Sequence, residues 1–234
     1  MVWKTRLSPL KLKIHSIKPQ TKRKNRFNIK LESGHVFSIS EDVFLSKSLV
    51  AGQILEKEEI QEIESLEIKN QIKNIVLNLI SYRDRSSAEI LQRLRKKGFN
   101  DKDIKQILDE FESKGFINDI EFAEKYAVHL IEKKLMGKIA VKSKFYSHQI
   151  SDKDLEPILE KLYKINPPKD LLMKLMIKRV KVRNKSKKDK KRLVSLFKRK
   201  GYTWDDIQSF MNNIIGKNKC SFFLNLILNL SSDV

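Results

Sequence analysis

Residues 87–111 read SAEILQRLRKKGFNDKDIKQILDEF, residues 138–162 read KIAVKSKFYSHQISDKDLEPILEKL, and residues 190–214 read KKRLVSLFKRKGYTWDDIQSFMNNI. The three stretches align without a gap, at spacings of 51 and 52 residues. Ile104 matches Leu155 and Ile207; Ile90 matches Val141 and Leu193; Leu94 matches Phe145 and Phe197; Phe111 matches Leu162 and Ile214. Asp103, Asp154 and Asp206 superpose as well. Apolar positions held in register at one period mark supersecondary units that stack, because one such unit cannot bury its apolar face alone.

Each stretch reads as helix, tight turn, helix. Gly98 and Gly201 stand where the first helix must end in a left-handed cap, which glycine adopts without steric cost. Gln149 stands there in the second stretch and weakens that cap. Each second helix opens with a capping box: Asn100 with Asp103, Ser151 with Asp154, Thr203 with Asp206. Ser86 with Glu89 opens the first helix of the first unit in the same way. A third helix is expected after each pair. One starts at Asn118, boxed by Glu121, and runs through Phe122, Tyr126 and Leu130; one follows Pro167-Pro168 with Leu171, Leu172, Leu175 and Met176; one is the apolar run 222–230.

Working outward to the N-terminus, the period changes. Leu10, Leu12 and Ile14 alternate with Lys11 and Lys13, as a strand requires; Phe27, Ile29 and Leu31 alternate again, and Phe37 and Ile39 follow a turn near Gly34. Residues 19–26 are polar and cationic and read as a loop. Ser40 is expected to cap a short helix through Val43 and Phe44, ended by Gly52. From Glu58, apolar residues recur at helical steps, with Glu58, Glu59 and Glu62 near the positive end of the dipole. The fold class is therefore mainly α. Tandem three-helix modules at 86–135, 136–185 and 186–234 follow a β-rich N-terminal unit at 1–57 and a connecting helix at 58–85.

The 12 Phe supply cores, and only 7 Gly and 5 Pro argue against a loop-rich or all-β chain. The net charge of +20 is unevenly placed. Residues 1–34 carry ten basic and one acidic residue, 35–168 carry 22 and 23, 169–219 carry 17 and four, and the last 15 residues add only Asp233. Positive charge gathered at two ends suits a polyanionic partner, since clustered Lys and Arg release counterions from phosphates. The single Cys220 permits no intramolecular disulfide, and the cationic N-terminus lacks an apolar signal core; both suit a cytoplasmic protein. The apolar run 220–230 has about half the length that crosses a bilayer.

No catalytic constellation stands out. His15, His35, His129 and His148 lie far apart without metal-ligand spacing, and neither a phosphate-cradling glycine loop nor a Gly-x-Ser-x-Gly turn is present. The repeated aspartates are explained as helix starts. Phe99, Phe116, Phe145 and Phe197 stand at core spacing and read as packing rather than base-stacking residues. What remains is a set of cationic helix faces: Arg93, Lys96 and Lys97 in the first repeat, Lys138, Lys142 and Lys144 in the second, Lys188, Lys191, Arg192 and Arg199 in the third. Such stripes meet a phosphate backbone without reading bases. A helix pair with a glycine turn is also the pattern of a helix-turn-helix, so a protein that binds DNA directly and acts on its own is the alternative reading.

Two further blocks fix a resemblance. Ser86-Ser87-Ala88-Glu89-Ile90-Leu91 and Lys97-Gly98-Phe99 are followed by Gly115-Phe116-Ile117-Asn118-Asp119-Ile120-Glu121-Phe122-Ala123, and then by Gly137 before the second repeat. Arg26-Phe27-Asn28 and Leu49-x-x-Gly52 stand in the leader. This order resembles the RecX family over nearly the whole chain. Two departures stand out: the second repeat has His148-Gln149-Ile150 where relatives carry Lys-Gly-Ile, and Lys138 or Lys142 stands in for an arginine, without its bidentate fork. The resemblance implies a regulator of the bacterial RecA recombinase, not an enzyme and without cofactor or metal. It would lie in the groove of the RecA–single-stranded DNA filament and limit ATPase, strand exchange and filament growth. Single-stranded and duplex DNA are further expected partners, a membrane is not, and a monomer is expected. Gly115, Phe116, Asp119, Phe122, Ala123 and Gly137 are expected to serve the scaffold.

Overall fold

The computed structural model describes residues 12–21, 25–179 and 187–216, with backbone alone at 179, 187–190 and 214–216. Leu10, Lys11, part of the cationic loop, Cys220 and the run 222–230 fall outside the described residues. The chain divides into two compact units, Met1–Asn118 and Asp119–Val234.

In the first unit the alternating segments form β1 (Leu12–Pro19), β2 (Arg26–Leu31) and β3 (Val36–Ser40), followed by α1 (Glu41–Lys47) and a two-residue strand β4 (Ile54–Leu55). The sheet order is β3-β2-β1-β4, and every pairing is antiparallel. Ile14, Ile29, Leu31 and Ile39 are buried against Val43 of α1. Then α2 (Lys57–Tyr82) runs 26 residues, about 39 Å at the helical rise. Its early residues Ile60 and Ile63 close the sheet core, while Ile72 and Val76 join a second core with α3 (Ser87–Arg95) and α4 (Asp101–Ser113). One long helix thus serves two cores in turn.

The leader motif has local work to do. Arg26 forms an ion pair with Glu67 of α2 at 2.8 Å, Phe27 stacks on Phe44 at 4.5 Å, and Asn28 accepts from Gln20 at 2.7 Å and Ser38 at 2.6 Å. Glu67 is 4% exposed and also accepts from the Ser40 N–H at 2.7 Å and the Ser40 hydroxyl at 2.8 Å. Here the expectation for Ser40 is corrected: it sits at the N-cap of α1, but its hydroxyl serves Glu67 and makes no cap bond. A buried carboxylate outcompetes a helix end that Glu41 and Asp42 already favour. The end of α1 is likewise Ser48, left-handed at φ 47°, and Gly52 turns the chain later, before β4.

The second unit comprises α5 (Asp119–Val128) with a π-turn over His129–Lys133, α6 (Lys138–Phe145), α7 (Asp152–Ile165), α8 (Pro168–Arg179), α9 (Lys187–Arg199) and α10 (Trp204–Gly216). The repeat positions become one kind of core residue. Leu94, Phe145 and Phe197 are at most 2% exposed, as are Ile104, Leu155 and Ile207. Leu171, Leu172, Leu175 and Met176 of α8 are buried in the same core as Phe145 and Phe197. The aspartates act as helix starts. The Asp103 N–H donates to Asn100 at 2.9 Å, the Asp154 N–H to Ser151 at 3.3 Å and the Asp206 N–H to Thr203 at 3.1 Å.

Candidate functional site

The three cationic faces differ in how much acid lies in the repeat around them. At the end of α3 and in the turn after it, Arg93, Lys96 and Lys97 are exposed, but Arg93 lies 3.3 Å from Glu89. Glu89 also receives Arg83, at 2.7 and 3.0 Å, and Arg85. Burial works to raise the Glu89 carboxyl, yet Arg83 and Arg85 outweigh it and hold it below its ordinary value. Arg95 crosses the turn to Asp101 with two bonds, 2.8 and 2.6 Å.

On α6, Lys138 and Lys142 converge on Glu156 of α7 at 2.5 and 2.7 Å, and these two bonds lower the Glu156 carboxyl. Lys144 is exposed and stands two residues beyond Lys142, about 200° around the helix. The second trio therefore divides into a pair that shares one carboxylate and one separate lysine.

On α9, Phe197 is fully buried and Leu193 and Val194 are partly so, while Lys191, Arg192 and Arg199 are exposed. Arg192 and Arg199 are seven residues apart, hence on one face about 10.5 Å along the axis, with Lys191 flanking. The side chain of Lys188 lies outside the described residues. Residues 190–214 hold six basic and two acidic residues, against six and five in 87–111 and five and four in 138–162. Only the third repeat carries a large local excess.

A backbone contact seats that repeat on the second. The Gly137 N–H donates to the Lys200 carbonyl at 2.8 Å and the Ile139 N–H to the Gly201 carbonyl at 3.2 Å, so the turn after α9 caps α6. A β-carbon at Gly137 would meet Gly201 O at 2.4 Å, and one at Gly201 would meet the Ala140 N at 2.3 Å. The Tyr202 hydroxyl donates to the Leu135 carbonyl at 3.2 Å, the Tyr163 hydroxyl to the Met136 carbonyl at 2.8 Å, and Lys200 Nζ to the Lys134 carbonyl at 2.7 Å. Burial pushes both phenols well above their ordinary values, so they remain neutral donors.

Among the other predicted residues, Gly115 takes φ 72° after α4, Asp119 is the first residue of α5, and Phe122 and Ala123 are buried. Phe122 packs on Tyr126, with His148 at 4.9 Å. Phe116 departs from its expected packing: it is 57% exposed, its ring tilted against that of Phe111 with centroids 5.6 Å apart, while Ile117 is buried. The left-handed turn at Gly115 sends the larger residue outward and gives the core seat to its smaller neighbour.

Sequence reasoning missed Trp204, which is 55% exposed with Lys198 Nζ 4.9 Å from its ring centroid. The repeat alignment holds the signal, because Lys198 and Trp204 fall on the positions of Arg95 and Asp101. Among the described residues, no group of three or more His, Cys, Asp and Glu is placed to hold a metal ion, and no helix is long and apolar enough to cross a membrane.

Residues 73–111 match the profile of the RecX first three-helix domain. A protein of Listeria monocytogenes serotype 4b (strain F2365), "Regulatory protein RecX", is 31% identical over 194 residues, covering 82% of this chain and 72% of that protein. A Clostridium acetobutylicum protein of the same description is 25% identical over 211 residues, covering 88% and 97%. A crystal structure of regulatory protein RecX superposes with a TM-score of 0.63 at 22% identity, covering 86% of this chain and 99% of that one. That of RecX from Lactobacillus salivarius gives 0.56 at 21%, covering 63% and 97%. At those identities the two structures speak for the fold alone.

Proposed function

The chain belongs to the RecX family of regulatory proteins, and we propose that it regulates a RecA recombinase by lying in the groove of the RecA–single-stranded DNA filament, limiting ATPase, strand exchange and filament growth. It does so as a binding protein without catalysis, as a monomer inside the cell. The observation that carries this reading is the third repeat. Its outward helix face presents Lys191, Arg192 and Arg199, while the Gly137–Gly201 contact fixes that face to the second repeat.

A row of helical units suits a periodic groove, because each unit can touch a neighbouring protomer and modest contacts multiply through avidity. Clustered basic residues gain from phosphates that the filament holds in order. A duplex-reading helix-turn-helix fits less well. Its second helix would enter the major groove, and α10 opens with Asp205 and Asp206. Like charge at that end repels the phosphates it must pass.

The test is ATP hydrolysis by the cognate RecA on single-stranded DNA with this protein titrated in. Hydrolysis is expected to fall as the protein approaches a fixed ratio to RecA. Unchanged hydrolysis well above equimolar would remove the reading, and sequence-specific protection of duplex DNA without RecA would replace it.

A further inference from the structure

The first and third repeats place a cation at the same position, just before the turn glycine, and treat it in opposite ways. In the first, Arg95 is closed into an ion pair with Asp101 at 2.6 Å. In the third, the aligned residues are Lys198 and Trp204. The acid has become an indole, so the ammonium meets a ring rather than a carboxylate there, 4.9 Å from its centroid. Such a contact orients a cation without neutralising it.

Trp204 is 55% exposed at the first residue of α10. A rigid ring of this size offers a partner a large contact area, and neighbouring groups limit what can cover it. Lys191 and Lys198 are exposed and seven residues apart, hence on one side of α9, and Arg199 is exposed beside them. An apolar or cationic partner would be repelled or would leave these charges unmatched. A polymer that alternates flat apolar rings with anionic links satisfies both features. Base–aromatic stacking beside a positive groove is the general solution for unpaired strands, and a paired duplex hides its base faces.

We propose that the third repeat carries a binding site for single-stranded nucleic acid, with one unpaired base stacked on Trp204 and the adjoining phosphates held by Lys191, Lys198 and Arg199. The site rests on the reading of the chain as a partner of a nucleoprotein filament and names the component that this repeat touches. Stacking releases no counterions, so ring and cations make separable contributions.

The experiment uses the full chain with Trp3→Phe, leaving Trp204 as its sole indole, and oligothymidylate without RecA. Indole fluorescence is expected to quench on titration. Read by the anisotropy of end-labelled oligothymidylate, Trp204→Ala should weaken binding about tenfold at an unchanged salt slope, and Lys198→Gln should lower the slope by about 0.7. An abasic oligonucleotide of equal length is the second arm. The parent should bind it about tenfold more weakly than oligothymidylate, and Trp204→Ala should bind the two alike. Because the ring is exposed, Trp204→Ala should keep the parent's melting temperature. No quench, or equal affinity of parent and Trp204→Ala, overturns the site. A Trp204→Ala protein that binds oligothymidylate normally but fails on the coated filament assigns the ring to protein and also overturns it. RecA hydrolysis measured with the parent separates this failure from failure of the filament reading: one leaves inhibition intact without quench, the other leaves quench without inhibition.

Discussion

Gly98 and Gly201 end the first helix of the first and third repeats in nearly the same conformation, φ 88° and 82°, yet they do different work. A β-carbon on Gly98 would meet nothing within 4 Å, whereas one on Gly201 would strike Ala140 backbone at 2.3 Å. The first glycine only lets the chain turn. The second also lets another helix close on it. The same contrast holds a few residues away, where Arg95 is tied to Asp101 and Lys198 leans on the ring of Trp204. One local sequence pattern therefore makes a self-contained unit in one place and a docked, outwardly charged unit in another. The difference comes from what lies across the turn rather than from the turn.

The largest effect that would break this comparison is expected from Gly201→Ala. It adds left-handed strain to a clash with backbone that cannot rotate away, together about 3 kcal/mol or more. Gly98→Ala carries the strain alone, about 1–2 kcal/mol. Urea unfolding of the two variants checks the gap, and equal losses would show that the close approach contributes nothing.

Next in size is Glu67→Gln. It leaves Arg26 without its buried counter-charge and should cost about 2–3 kcal/mol, read by thermal melting. The same carboxylate sets a pH contrast between the two units. Burial acts to raise Glu67, but Gln71, Ser40 and Arg26 prevail and hold it below 4.5. Its contribution is fully present above pH 4.5 and is lost as pH falls through the folded value. Tyr163 and Tyr202 are raised above 10.0, so theirs is present below pH 10.0 and is lost as pH rises beyond it. Hydrogen exchange should accelerate first in β2 and β3 under acid and first around α9 under alkali. Acid loosening that persists in Glu67→Gln would remove the assignment.

The smallest change should be favourable. Gln149 sits at φ 54° in the place that Gly98 and Gly201 hold, so Gln149→Gly should stabilise by about 0.5–1 kcal/mol in the same urea assay.

The helical repeat was legible because burial follows period: Ile104, Leu155 and Ile207 announce themselves by spacing, and all three are buried. The caps were legible because Asn100, Ser151 and Thr203 satisfy donors that every helix start leaves open. Long-range partners were not. Nothing local tells Ser40 that a carboxylate 27 residues later will take its hydroxyl. Phe116 and Ile117 are both apolar, and only the turn at Gly115 decides which faces inward. The cationic stripes were visible as sets of residues, but not which lysines would pair within the protein. Lys138 and Lys142 meet Glu156 across a helix–helix contact, not within a helix.

The most direct test is affinity for the RecA–single-stranded DNA filament across a range of salt, for two triple variants. Lys191→Gln/Arg192→Gln/Arg199→Gln should lower the slope of log affinity against log salt by about 2, at about 0.7 for each phosphate no longer neutralised. Arg93→Gln/Lys96→Gln/Lys97→Gln in the first repeat should lower it much less. Equal slopes in the two variants and the parent would contradict the account, since the third repeat's excess charge would then have no polyanion to meet.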